Sequence, residues 1–384
     1  MNPQPLYDLS PALRLMLMGV VIALGPLAWI WLRNAQAAPA RRLQALTLLT
    51  LFLTFDLVLF GAFTRLTDSG LGCPDWPGCY GSASPSGAHA EIGKAQAAMP
   101  SGPVTHGKAW VEMIHRYLAT GVGVLIITLT AATWLQRKQR AAVNPWWPAL
   151  TLVWVCLQGA FGALTVTMKL FPAIVTLHLL GGMVLLALLC RQAVAYARSE
   201  REAPASALRA PARAWLVATT ALLWLQIALG GWVSTNYAVL ACNDFPTCQG
   251  SWWPAMDLQQ GFELWRELGK TGAGGHLDFA ALTAIHYVHR LTAYVLFFAL
   301  GFTAWHLLRE HGTRRAGRWI AGLALWQLAT GLSNVVLGWP LLAAVSHTGG
   351  AAALVIVTTW AICESRAAAG VEAGGQARAR ELSA

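Results

Sequence analysis

Charge is what this sequence has least of. Asp, Glu, Lys and Arg make up 11% of the 384 residues, against about 25% in a soluble domain, which excludes a soluble globular enzyme. Acidic residues are the scarcest, 17 against 27 Lys and Arg, for a formal charge of +10. In a soluble chain that balance would suggest an anionic partner. In a membrane chain it reflects the Lys/Arg bias of cytoplasmic loops, and nucleic acid is not expected as a partner. The 36 glycines show no three-residue period, so collagen is excluded. Disorder is excluded because the apolar residues, 56% of the chain, come in long blocks.

Those blocks define the fold class. A span needs roughly 20 apolar residues to cross about 30 Å of hydrocarbon. Nine blocks qualify, at 15–32, 43–63, 111–135, 147–167, 173–195, 213–234, 282–308, 317–338 and 341–363. Trp134, Trp146, Trp147, Trp215, Trp319 and Trp339 fall at block ends, where interfacial aromatic belts form. The connections after blocks one, three, five and seven, with the C-terminal tail, carry 18 of the 27 Lys and Arg. That side is expected to be cytoplasmic, with the N-terminus outside. Ala35-Gln36-Ala37 has the small-residue pattern of a signal-peptide cleavage site. However, Arg33, Arg41 and Arg42 follow the first block and only Arg14 precedes it, the reverse of a signal peptide, so a retained helix is expected.

The chain repeats itself. Residues 61–81 read GAFTRLTDSGLGCPDWPGCYG and residues 230–250 read GGWVSTNYAVLACNDFPTCQG. Cys73, Asp75, Pro77, Cys79 and Gly81 match Cys242, Asp244, Pro246, Cys248 and Gly250 at a constant offset of 169. Gln158 and Gln327, and His178 and His347, keep that offset, while Glu112-x-x-His115-Arg116 matches His286-x-x-His289-Arg290 at 174. The fold expected is an all-α polytopic membrane protein of two tandem four-helix bundles. The two form a parallel pseudo-twofold repeat, because four spans return the chain to its starting side. An extra N-terminal helix and linker occupy 1–42, the bundles 43–195 and 213–363, a linker rich in Ala, Arg, Glu and Pro 196–212, and a cytoplasmic tail 364–384.

Ionisable residues in spans are costly and point to function. His115 and His289 open the third and seventh blocks, and His178 and His347 lie about six residues into the fifth and ninth. All four therefore lie within about two turns of the outer face. Two imidazoles facing each other across a bundle suit axial ligation of haem iron. The bland reading, a histidine bonded to a neighbouring helix, fits any one of them better than four at matched positions. A zinc or di-iron site would need more carboxylates or closer ligands. His89, His106, His276, His306 and His311 read as solvated.

Arg116 and Arg290 each follow a candidate ligand, either to pair with haem propionates or as ordinary interfacial anchors. The two Cys-x5-Cys pairs lie on the oxidising side, where disulfides persist. A tetrathiolate zinc site is the rival, although each pair brackets its own Asp-aromatic-Pro turn. Cys156, Cys190 and Cys363 read as inert core thiols. Asp56 has no identifiable partner. Glu112 is where the halves diverge, since His286 stands at the matching place. One turn before His115, it should share that residue's face and accept protons or stabilise positive charge on a substrate. The bland reading is a glutamate favoured by the helix dipole.

The motif Gly70-Leu-Gly-Cys73-Pro-Asp-Trp-Pro-Gly-Cys79, the Glu112-x-x-His115-Arg116 box and the paired His178 and His347 resemble the haem A synthase family over residues 43–363. The departure is the first helix, because the family core starts at the second block. The resemblance implies an oxidoreductase that turns the C8 methyl of haem O into a formyl group for cytochrome oxidase biogenesis. It does so by two hydroxylations with water as oxygen source. It implies that the N-terminal bundle binds haem O through His115, His178 and Arg116, with Glu112 catalytic. It also implies that the C-terminal bundle holds a haem B cofactor through His289, His347 and Arg290. It places the protein in a bacterial inner membrane, active sites near the outer side. The partners it implies are haem O synthase, the assembling terminal oxidase, an unidentified electron acceptor and membrane lipid, and it is compatible with a homo-oligomer. Two other classes compete. A di-haem cytochrome b passing electrons from quinol across the bilayer needs haems near opposite faces. A haem transporter needs a site near the midplane.

Overall fold

The computed structural model describes residues 10–137, 144–199, 208, 210–310 and 312–382, with backbone only for 210 and 366–382. Most of the linker expected at 196–212, and His311, lie outside the described residues. The helices are α1 (Ser10–Arg33), α2 (Pro39–Leu66), α3 (His89–Ala98), α4 (His106–Leu135), α5 (Trp146–Thr167), α6 (Pro172–Ser199), α7 (Ala210–Thr235), α8 (Leu258–Gly261), α9 (Phe279–Arg309), α10 (Arg314–Val336) and α11 (Leu341–Leu382). Among the described residues nine helices are long and apolar enough to cross a membrane. Strands are absent from these residues, which hold only three isolated bridges. The nine are the blocks expected from hydropathy, most of them extended by a turn or more at one end. The chain is thus an all-helical polytopic membrane protein.

It divides into two compact units, Met1–Leu185 and Leu186–Ala384, the break falling within α6. Polar side chains inside the helices satisfy themselves locally. Buried Thr47, Thr50 and Thr54 on α2 donate to the carbonyls of Leu43, Leu46 and Thr50 at 2.7–2.8 Å, which removes most of the cost of burying a hydroxyl without water.

In the first unit α1 lies close along α4. A Cβ on Gly19 would stand 2.4 Å from Thr120 Cγ2, so only glycine permits that approach. Leu15 joins the buried cluster of Cys73, Cys79, Ile92, Met113 and Tyr117, which ties α1 to the loop between α2 and α4. Cys190 and Cys363 are buried, but Cys156 is exposed, contrary to its reading as a core thiol. The outward faces of membrane helices are as apolar as their cores, so hydropathy does not separate the two.

Candidate functional site

Each unit carries one disulfide-closed loop, Cys73–Cys79 after α2 and Cys242–Cys248 after α7. The matched aspartate organises each. Asp75 accepts the N–H groups of Tyr80 and Gly81 at 2.6 and 2.7 Å, and Asp244 those of Gln249 and Gly250 at 2.7 and 2.9 Å. The donors are successive left-handed residues (φ of 48° and 70°, and 55° and 71°), so their N–H groups converge on one carboxylate. With Thr247 Oγ1 also donating to it, the Asp244 carboxyl is held down at about 2.

The arginines beside the candidate ligands grip these loops. Arg116 Nη1 reaches the carbonyls of Asp75, Pro77 and Gly78. Arg290 reaches those of Asp244, Thr247 and Cys242 at 2.7–3.2 Å. Both guanidiniums are engaged with loop backbone. Glu112 completes the first clamp: it is buried, takes the Cys73 N–H on Oε2 at 2.8 Å and pairs with Arg116 through Oε1 at 2.5 Å. His286 bonds the Ala238 carbonyl instead, at 3.0 Å. Asp56 lies on an exposed face of α2. His89 and His106, read as solvated, lie against each other with ring centroids 4.4 Å apart and planes tilted by 33°.

The four repeat-matched histidines fall into two pairs. His178 stands close enough to His115 for the rings to interact electrostatically, and His347 does so with His289. Every one of the four faces a glycine on a neighbouring helix. A Cβ on Gly61 would lie 3.0 Å from His115 Nε2, and one on Gly230 3.0 Å from His289 Cε1. The corresponding distances are 3.5 Å from Gly162 to His178 Cε1 and 3.1 Å from Gly331 to His347 Cε1. Gly61 and Gly230, and Gly162 and Gly331, are themselves 169 residues apart, a signal the repeat carried and sequence reading missed. Among the described residues no third His, Cys, Asp or Glu converges on either pair. Two imidazoles without further ligands suit the axial positions of a planar iron macrocycle better than tetrahedral zinc.

The family model described as cytochrome oxidase assembly protein matches residues 44–359. The chain belongs to the haem A synthase family of these assembly proteins. It is 37% identical over 313 residues to the haem A synthase of Shewanella oneidensis, covering 80% of this chain and 92% of that protein. The haem A synthase of Methylobacterium nodulans is 30% identical over 322 residues, covering 77% and 84%. That of Halalkalibacterium halodurans is 26% identical over 298 residues, covering 76% and 86%. The family match begins within α2, so α1 lies outside it.

Proposed function

We propose that the chain is a haem A synthase of the inner membrane, oxidising the C8 methyl of haem O to a formyl group for terminal oxidases. Each hydroxylation consumes one water and releases two electrons and two protons. The gem-diol formed by the second loses water to the aldehyde, so methyl plus one water gives formyl, four electrons and four protons. Family membership and the two matched histidine pairs support this, and the pairs are the observation that carries it.

Residues 43–195 are assigned as the substrate bundle, with His115 and His178 binding haem O. Residues 213–363 are assigned as the cofactor bundle, in which His289 and His347 would hold haem B. A haem held there supplies a one-electron carrier toward an acceptor on the outer side. Arg116 and Arg290 would act on haem through the loops they clamp as well as through any propionate they meet. Glu112 is assigned as the carboxylate that takes protons from the methyl carbon or steadies positive charge there. An ionised carboxylate has about four lone-pair sites; the Cys73 and Arg116 bonds use two, and the Gly72 N–H lies beside the same carboxylate. The arginine-rich connections and tail are assigned to the cytoplasm, the loops and histidines to the outer side.

The test is production. Expressed in cells that make haem O and no haem A, the chain should yield haem A in the extracted pigment. Unconverted haem O, with the protein present in the membrane, contradicts the assignment.

A further inference from the structure

The histidines match across the repeat, but what stands behind them does not. Thr330 Oγ1 donates its only hydrogen to the Trp326 carbonyl at 2.8 Å. Its 3.0 Å contact with His347 Nδ1 is therefore one in which the oxygen accepts Nδ1–H. A neutral imidazole has one N–H and one bare nitrogen, so this bond commits the lone pair to Nε2, the form an iron ligand needs. Gly331, next in the chain, faces the same ring at 3.1 Å.

In the first unit the residue matching Thr330 is Phe161, which offers no acceptor. His178 Nδ1 is buried and has no bond of ordinary geometry. The Gln158 carbonyl is nearby, but the Gln327 carbonyl stands near His347 in the same way, so that neighbour is common to both units. Gly162 sits farther off, in ordinary contact at 3.5 Å. The other pair differs as well, in orientation and not in tautomer. Gln226 Nε2, a donor, reaches His289 Nδ1 at 3.0 Å and the His289 carbonyl at 3.1 Å, so it holds the ring without freeing Nε2 as Thr330 does at His347. Its counterpart is Leu57, and His115 stacks near-parallel to Phe60, centroids 6.4 Å apart. Polar side chains hold both rings of the second unit, whereas in the first Phe60 lies along His115 and no side chain bonds His178 Nδ1.

We propose that Thr330 is a positioning residue that locks His347 as a permanent iron ligand, whereas Phe161 leaves His178 free to release, so that one unit retains haem and the other exchanges it. This rests on the haem reading above. A substrate unit must admit haem O and discharge haem A at every turnover, and a fixed ligand would retard the discharge. A resident cofactor has the opposite requirement.

The experiment follows loss of haem B from the purified full-length protein to excess apomyoglobin, with the midpoint potential as a second readout. Removing a partner behind a metal-bound histidine typically weakens the metal by about 10–100-fold. Thr330→Val should therefore release haem B about 10–100 times faster and raise the potential, because the imidazole becomes a poorer donor. Thr330→Ser, which keeps the hydroxyl, should restore both. Phe161→Thr should make the first unit retain haem through purification, a gain that does not depend on how Thr330→Val folds. Unchanged release in Thr330→Val, together with no gain in Phe161→Thr, would overturn the inference if His347→Ala still abolishes bound haem B. If His347→Ala leaves haem B unchanged, the haem reading of the second unit falls, and this inference with it.

Discussion

Four glycines set the clearance around the four histidines, and their distances rank the consequence of filling them. At 3.0 Å an added methyl on Gly230 would force His289 to give by a few tenths of an ångström, whereas on Gly162 it meets His178 at 3.5 Å, an ordinary separation. Overpacking typically costs about 1–3 kcal/mol, and about 1.4 kcal/mol is tenfold in affinity. Gly230→Ala is thus expected to loosen haem B by roughly 5–150-fold in a haem-transfer assay. Gly162→Ala should leave haem B untouched and product formation nearly normal. Glu112→Gln removes basicity and charge, and general-base loss typically costs about 10²–10⁴ in rate. Haem A should nearly vanish from that variant, haem O or the hydroxymethyl intermediate should accumulate, and haem B should stay. His286→Gln should be mild. Near-normal haem A from Glu112→Gln would leave Glu112 only its place in the Arg116 clamp.

At the scale of elements, the loops are where sequence and structure diverge most usefully. The cysteine spacing showed that each pair brackets a turn, and both pairs are bonded. The positions of Arg116 and Arg290 beside candidate ligands leave propionates and interfacial anchoring both open, and the structure adds a role neither names: both engage loop carbonyls, contacts that join residues about 40 positions apart. No local pattern announces such a contact. Since the Cys73 N–H also binds Glu112, Cys73→Ala is expected to lower haem A production more than Cys242→Ala. Equal output from the two variants would contradict that order. The second loop carries its own acid limit. A carboxyl at about 2 when folded, against 3.8 ordinarily, contributes stability that is fully present above pH 3.8 and lost as pH falls through about 2. Limited proteolysis should find this loop protected at pH 4 and opened near pH 2, and Asp244→Ala should be cleaved at both.

For the whole molecule, hydropathy made the nine spans legible because crossing hydrocarbon demands length and apolarity of any helix. It did not make the inward faces legible, because lipid and core are equally apolar, as exposed Cys156 illustrates. The offset of 169 supplied what hydropathy could not. It paired His178 with His347, as the offset of 174 paired His115 with His289, and it contained the Gly61–Gly230 match and the Phe161–Thr330 difference, whose meaning emerged only once the glycines and Thr330 were seen against imidazoles. The central claim is the division of labour between the units, and the pyridine haemochrome spectrum of the purified protein and its histidine variants tests it most directly. The unaltered protein should contain haem B with smaller amounts of haem O or haem A. His289→Ala and His347→Ala should each lose haem B, while His115→Ala and His178→Ala keep most of it and form no haem A. Loss of haem B from the His115 and His178 variants would reverse the two units, two equivalents of haem B would indicate a di-haem cytochrome, and no haem at all would contradict the account.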